Sequence, residues 1–573
     1  MFRLATPQNT RRARPVVGTI TPLAIPIKGM NARDAFAVMG PQYAISLSNV
    51  IVENYGLRTR RGYAEYATGL PGALPVWTVM SYYPALAPAP LARQELRVIP
   101  NNVARMMLSH WSKAVPPVGK LFAATNSGRI YDVTAGGAGP WTPEAGVLGL
   151  TDFWTWLNFQ NIAGSFLVVT NDGGGYSYYN GTAWATPVEG TGIGEIDGAD
   201  PSKFCFVMVW KKRLWFIEKD HTRAWYLPVG QLTGQVTEFN FGEQFRHGGH
   251  LAALANWTVD GGEGIDDHLI AVGSQGDVVV YKGVDPDDPT SFGLHGVWSV
   301  GALPAGRRSV INTGGDIQIL SHFGVTPLSA LLSSSQLGDI EDKRLTYVIA
   351  PLIARLMRDY SALPGWAIRT VARDELLLIR VPDQALEYAG QFFALKVPTG
   401  GWSALKDLPY RDLVTVDAEA FAGSHDGRVL RAFEGPLDNV KLGETLGDNT
   451  GVTIISQVTP SYQAMGDPGL QKVFKLVRPT FITTMKPTLT MQVLVDYGPP
   501  RPPVTPTLPD IAVSLWDVDL WDSAIWSGLR EPIKEWLGCH GVGFVGTVQL
   551  DYRGSADTLL ASIDFWTEQG GVM

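Results

Sequence analysis

One unit of pattern returns along the middle of the chain: an apolar run of strand length, a tight polar turn, and a second aromatic or β-branched run. It reads Leu121-Phe122-Ala123-Ala124-Thr125, a turn at Asn126-Ser127-Gly128, then Ile130-Tyr131. It returns as Phe166 to Val169, Asn171-Asp172-Gly173, Tyr176 to Tyr179. A third copy is Leu214 to Ile217, a turn near Asp220, then Ala224-Trp225-Tyr226. A fourth is Leu269 to Val272, Gln275-Gly276-Asp277, Val278 to Tyr281. The fifth is Ile317 to Leu320 with a turn at Phe323-Gly324, and the sixth pairs Leu376 to Val381 with Phe392 to Val397. The seventh is Ala420-Phe421-Ala422, His425-Asp426-Gly427, Val429-Leu430.

The turns at Ser127, Asp172, Asp220, Gln275 and Phe323 are 45, 48, 55 and 48 residues apart. A four-stranded repeat of about 40–50 residues has the size of a propeller blade. Residues 76–435 therefore predict a β-propeller-like domain of six or seven blades; an irregular array of hairpins or a sandwich is the rival.

The repeat is broken once. Leu345, Val348, Ile349, Leu352, Ile353 and Leu356 recur at helical spacing, with Lys343, Arg344, Arg355 and Arg358 at polar positions. Pro351 lies inside this pattern and predicts a kink or a restart. The helix packs on a propeller face or serves a subunit contact.

The two ends read differently. Residues 1–28 show no steady period and read as an extended arm, and 1–75 together as an N-terminal arm and docking segment. After residue 435 a Gly-, Asp- and Asn-rich linker runs through Gly451. Strands resume at Val473–Val477, Leu489–Val495, Gly543–Leu550 and Leu559–Trp566, with a Pro-crowded loop at Arg501–Pro509. Residues 436–573 thus predict a C-terminal β-sandwich-like domain, and the whole chain is expected to be mainly β with few helices.

Composition agrees with this reading. Among 573 residues there are 63 Gly, 39 Pro, 18 Trp and 19 Tyr, and only 17% are charged. Gly and Pro punctuate turns, and aromatics favour strands. No apolar run reaches the roughly 18 residues of a membrane span, so no membrane insertion is expected. Arg3, Arg11, Arg12 and Arg14 are followed by no signal core, so synthesis in a cytoplasm is expected. Cys205 and Cys539, far apart, read as packing residues. A net charge of −8 argues against a tight grip on nucleic acid.

Catalytic signatures are weak. Gly119-Lys120 is followed by Leu121 where a phosphate loop needs Ser or Thr, and the glycines at 190–194 precede no helix pattern. His247 and His250 have HxxH spacing but two glycines between them and no third ligand, so they read as solvent-facing loop histidines. Asp285, Asp287 and Asp288 lack the Gly and the closing Glu of a calcium loop and read as a surface acidic turn. Asp266-Asp267 and Asp374-Glu375 are adjacent, and neighbours in a strand point to opposite faces. Ser424-His425-Asp426-Gly427 is similar to a sialidase Asp-box turn, but it occurs once. These features argue against an enzyme and against a metal site. A carbohydrate-binding or carbohydrate-cleaving propeller, as a receptor-binding or depolymerase tail component, is the alternative.

Longer phrases carry a resemblance. Lys212 to Asp220 and Ala224 to Gly230 resemble a phage structural protein family, as do Phe239–Gly242, Gly248-Gly249, Ala255–Asp260 and Gly264–Asp267. The likeness continues through Val279–Gly283, Gly306-Arg307-Arg308, Gly314-Gly315-Asp316 and Gly324–Ser329. Asn31–Asp34, Leu57–Tyr63, Trp516-Asp517 and Trp521-Asp522 look like the same family. That family is the tail nozzle, or tail tubular protein B, of short-tailed bacteriophages. The extreme N-terminus and the loop at 436–452 resemble it least.

The resemblance implies a structural virion protein of the tail, a homo-hexamer forming a hollow cone below the portal and adaptor rings. It implies docking of tail fibres or spikes, transient, non-specific contact with genomic DNA leaving through the lumen, and no cofactor. An acidic or neutral wall lets DNA slide where clustered Lys and Arg trap phosphates. Six-fold rings close through heterologous contacts, which need two different patches per subunit. Arg58, Arg60 and Arg61 are one candidate patch, with a solvated turn as the plain reading; Arg11, Arg12 and Arg14 are candidates for adaptor docking or for DNA.

Overall fold

The computed structural model describes residues 18–70, 75–83, 119–125, 127–144, 154–260, 265–333, 341–383, 390–416, 419–444, 451–499, 502–509 and 530–569. The chain divides into two compact units. One holds residues 60–398 and 404–452; the other holds 1–59, 399–403 and 453–573.

The larger unit is a seven-bladed β-propeller. All seven hairpins expected from the repeat are present, and no two lie in the same sheet. The innermost strands run Val76–Tyr82, Trp154–Asn161, Phe204–Trp210, Leu251–Asp260, Val310–Asn312, Ala367–Val371 and Tyr410–Val416. Each lies beside the next, and Tyr410–Val416 lies beside Val76–Tyr82, so the ring closes at seven.

The turn chemistry explains the hairpins. Gly276, at φ 90°, turns the chain between Ile265–Gly273 and Asp277–Gly283, and a Cβ there would sit 2.1 Å from the Gly301 carbonyl oxygen. Lys211 and Lys212 take positive φ in succession, the geometry of a two-residue turn that matches strand twist.

Packing between blades is aromatic. Phe216 stacks on Phe204 at 4.7 Å with 11° between planes, and meets Tyr176 of the preceding blade at 4.8 Å. Both Phe204 and Phe216 are fully buried. The helical segment restarts at its proline: a 3-10 turn at Tyr347–Ile349 gives way to an α-helix at Ala350–Tyr360 with Pro351 in its first turn. Ile353, Leu356 and Met357 form its buried stripe, and it lies beside Gly324–Pro327 of the fifth blade.

The last blade corrects the expected domain boundaries. Its outer strand is Tyr63–Thr68, which pairs antiparallel with Val429–Ala432. The two ends of the propeller segment thus complete one sheet. The residues after 435 are no linker: Tyr63 N–H donates to Leu437 O at 3.2 Å and Glu65 N–H to Val440 O at 2.9 Å. The propeller unit extends to residue 452.

The second unit is a β-sandwich, and it corrects the arm. Of residues 1–28, those from 1 to 17 lie outside the described residues. Thr19–Leu23 is a strand, pairing from Thr19 with Thr567 to Leu23 with Ile563. Val50–Glu53 and Gly56–Thr59 form a hairpin, and the latter pairs with Leu559–Gln569. Ala44–Ser48 enters the other sheet beside Ile454–Pro460. Isolated apolar residues read as an arm because their strand partners lie several hundred residues away. Lys472–Thr483 and Thr488–Val495 alternate buried and part-exposed positions along most of their length, one face packed and one wet. Leu47, Val52, Phe474, Phe481, Val548 and Phe565 belong to one core.

Candidate functional site

The innermost strands of a propeller line its axis, so side chains from separate blades converge there. Five of the seven contribute to a cavity of about 540 Å³ in this chain, a size suited to a small ligand. Its walls include Trp156, Phe206, Met208 and Val310. Its charged lining is Arg307 and Arg308 at the entry to the fifth blade, Arg369 on the sixth and Asp412 on the seventh.

A β-bulge places Asp412. The register of Tyr410–Val416 against Glu419–Ser424 shifts between Tyr410 and Asp412, and such shifts re-aim a side chain. Asp412 is 5% exposed and accepts from Arg369 Nε at 2.9 Å and from the Leu413 N–H at 2.9 Å. Arg308 Nη1 stands 3.9 Å from its other oxygen. Arg307 Nη1 donates to the carbonyls of Leu251 and Ala252 at 2.9 and 3.1 Å. Burial pulls the Arg308 pKa down to about 10, against the pull of Asp412, so the guanidinium stays charged at neutral pH. The arrangement can hold an anion. Asp412 is the one carboxylate in this lining, and general acid–base work on a glycoside uses two.

A second cavity, about 520 Å³, lies where the sixth and seventh blades meet, lined in part by Tyr63, Asp383, Asp407, Arg411, His425 and Asp426. Two of its three acids, Asp383 and Asp426, are engaged, and Asp407 is exposed. Asp383 pairs with Arg380 at 2.7 Å and Arg411 at 3.3 Å. Asp426 pairs with Arg428 at 2.5 Å and accepts from the Ser424 hydroxyl. Burial pushes the Asp426 carboxyl up, but these partners outweigh it and hold it below the usual range. A glycosidase acid needs the opposite shift.

The candidates from sequence separate. Arg60 is no surface contact: it is 1% exposed, and its guanidinium forks onto Asp438 through two bonds of 2.7 Å. A charged residue reads as surface in sequence, and its partner lies far along the chain. Arg61, nearly half exposed, approaches Asp374 at 3.4 Å. Arg58 belongs to the sandwich unit, where it donates to the Tyr55 hydroxyl. Arg11, Arg12 and Arg14 lie outside the described residues, as do Trp516-Asp517 and Trp521-Asp522.

The other singled-out groups are structural. Asp285 and Asp287 lie in the surface turn expected, and they also clamp Arg213 of the preceding blade at 2.8 and 3.1 Å. His247 is the solvent-facing loop residue expected, although its Nδ1 bonds Asp277 at 2.7 Å; His250 is instead half-buried, with its pKa lowered by burial and by Arg307. Asp267 pairs with Lys211 at 2.8 Å and Glu375 with Lys396 at 3.0 Å. Among the described residues, no group of three His, Cys, Asp or Glu is placed to hold a metal ion, and no helix is long and apolar enough to cross a membrane.

The chain matches no family model and no curated protein. Among solved structures, it is similar to BBS1N in complex with ARL6DN, at 11% identity over 55% of this chain and 87% of that one, with a TM-score of 0.32. YCF48 bound to D1 peptide gives 11% identity, 55% and 87% coverage, and 0.30. The exo-beta-1,3-galactanase of Phanerochaete chrysosporium with galactose gives 10% identity, 73% and 97% coverage, and 0.23. The seven blades rest on strand pairing alone.

Proposed function

We propose that this chain is a structural subunit of the tail nozzle of a short-tailed phage. Six copies form the ring through which DNA leaves, with the adaptor protein above and tail fibres or spikes docked nearby. The observation that carries this reading is the run of tail-nozzle-like phrases from Lys212 to Ser329, which falls on the third, fourth and fifth blades.

Physical features support it. Asp412, Asp383 and Asp426 in the propeller cavities are tied up in arginine pairs, so the molecule is built as a wall more than as a reaction pocket. The net charge of −8 suits a conduit that must release DNA. Negative-stain electron microscopy of the purified protein, alone and with its adaptor, tests the reading. Six-fold rings are expected; isolated monomers that bind glycans would overturn it in favour of a carbohydrate-binding propeller.

A further inference from the structure

The axial cavity of the propeller has a charge that the ring role does not use. Three guanidiniums, Arg307, Arg308 and Arg369, face one carboxylate, Asp412, leaving two formal positive charges in the lining of a protein whose net charge is negative. Beyond the lining, Asp172 and Arg380 act on Arg308 with opposite signs. Gathering like charges in a buried place is costly unless an anion offsets them.

We infer that the propeller axis holds a small phosphate-type oxyanion, bound by Arg369 and Arg308 beside Asp412. Arg369 gives Nε to Asp412 and Nη1 to the Ile368 carbonyl at 3.1 Å, so it meets a phosphate oxygen through Nη2 in a charge-assisted hydrogen bond. Arg369 is the more accessible of the two, with 22% of its side chain exposed against 6% for Arg308. Arg307 is anchored on the Leu251 and Ala252 carbonyls and contributes its charge from a fixed position. The volume of about 540 Å³ takes a free phosphate or a small phosphate ester and excludes a duplex. The site lies within a single chain, so it stands whether or not six copies assemble.

Calorimetric titration of the full-length protein tests this, with inorganic phosphate and adenosine 5′-monophosphate as probes at ionic strength matched with sodium chloride. Saturable binding of either probe at one site per chain is expected; tighter binding of the nucleotide assigns the natural ligand to phosphate esters, and tighter binding of inorganic phosphate to the free anion. Arg369→Gln weakens binding about tenfold, the scale of one lost charge-assisted hydrogen bond. Asp412→Asn removes the one negative charge of the lining and tightens binding, which keeps the test alive should the arginine variant fail to fold. Absence of saturable heat with both probes overturns the site, and so does equal affinity in the wild type and both variants.

Discussion

The Arg60 guanidinium and the Asp438 carboxylate lie side by side through two hydrogen bonds of 2.7 Å, although 378 residues separate them in sequence. Asp438 also pairs with Val452 through a backbone bridge, so the clamp ties the strand that opens the propeller segment to the turn that ends it. Burial alone would lower the pKa of Arg60; the charge and hydrogen bond of Asp438 more than offset it.

Breaking this clamp on one side leaves a charge buried without its partner. Asp438→Ala is expected to destabilise the propeller by about 3–5 kcal/mol in chemical denaturation, and the double replacement Arg60→Met with Asp438→Leu to recover much of that loss. Equal stability of wild type and the single variant would show that the pair is solvated in solution.

The closing strand carries a second clamp with a pH signature. Glu65 accepts from Arg428 at 2.6 Å, from Lys441 at 2.9 Å and from the Leu442 N–H at 3.1 Å. Burial pushes its carboxyl up, but these donors outweigh it and hold the pKa below the ordinary value. A depressed folded-state pKa stabilises fully above the unfolded value, about 4.3, and the contribution fades as pH falls from there through the folded value. Glu65→Gln should therefore lower the urea midpoint at pH 7 and lose its effect in acid below that range. A gap independent of pH would contradict the assignment.

Phe216 sits between two blades, against Phe204 and Tyr176. Phe216→Ala opens a cavity in a fully buried interface and should cost about 3–5 kcal/mol in unfolding free energy. A cost under 1 kcal/mol would mean that the blades close over the gap.

Cys205 and Cys539 are both free, and burial pushes each thiol up to about 12. Thiolate is the reactive form. A colorimetric thiol count at pH 8 should find neither cysteine reacting promptly in the native protein and both in denaturant. Prompt native labelling would show that the strands around them open.

What the sequence revealed and what it hid follow one physical divide. Hairpins such as Leu269–Val272 with Val278–Tyr281 announce themselves locally, because the turn glycine and both apolar runs lie within a dozen residues. The restart at Pro351 was equally local. Thr19–Leu23 reads as an arm in sequence because its partner is the last described strand, and one-sided pairing leaves no period of its own. Arg60 read as surface, since nothing near it in sequence names Asp438. The axial cluster is spread over three successive blades, and only the packing of one blade on the next brings Arg308, Arg369 and Asp412 together. The Arg307-Arg308 doublet was visible, but its burial was not.

The ring claim is tested most directly by native mass measurement of the purified full-length protein, alone and mixed with its adaptor. The account predicts a particle of six times the 62.2 kDa chain mass, formed at least when the adaptor is present. A single-chain mass under both conditions would contradict it.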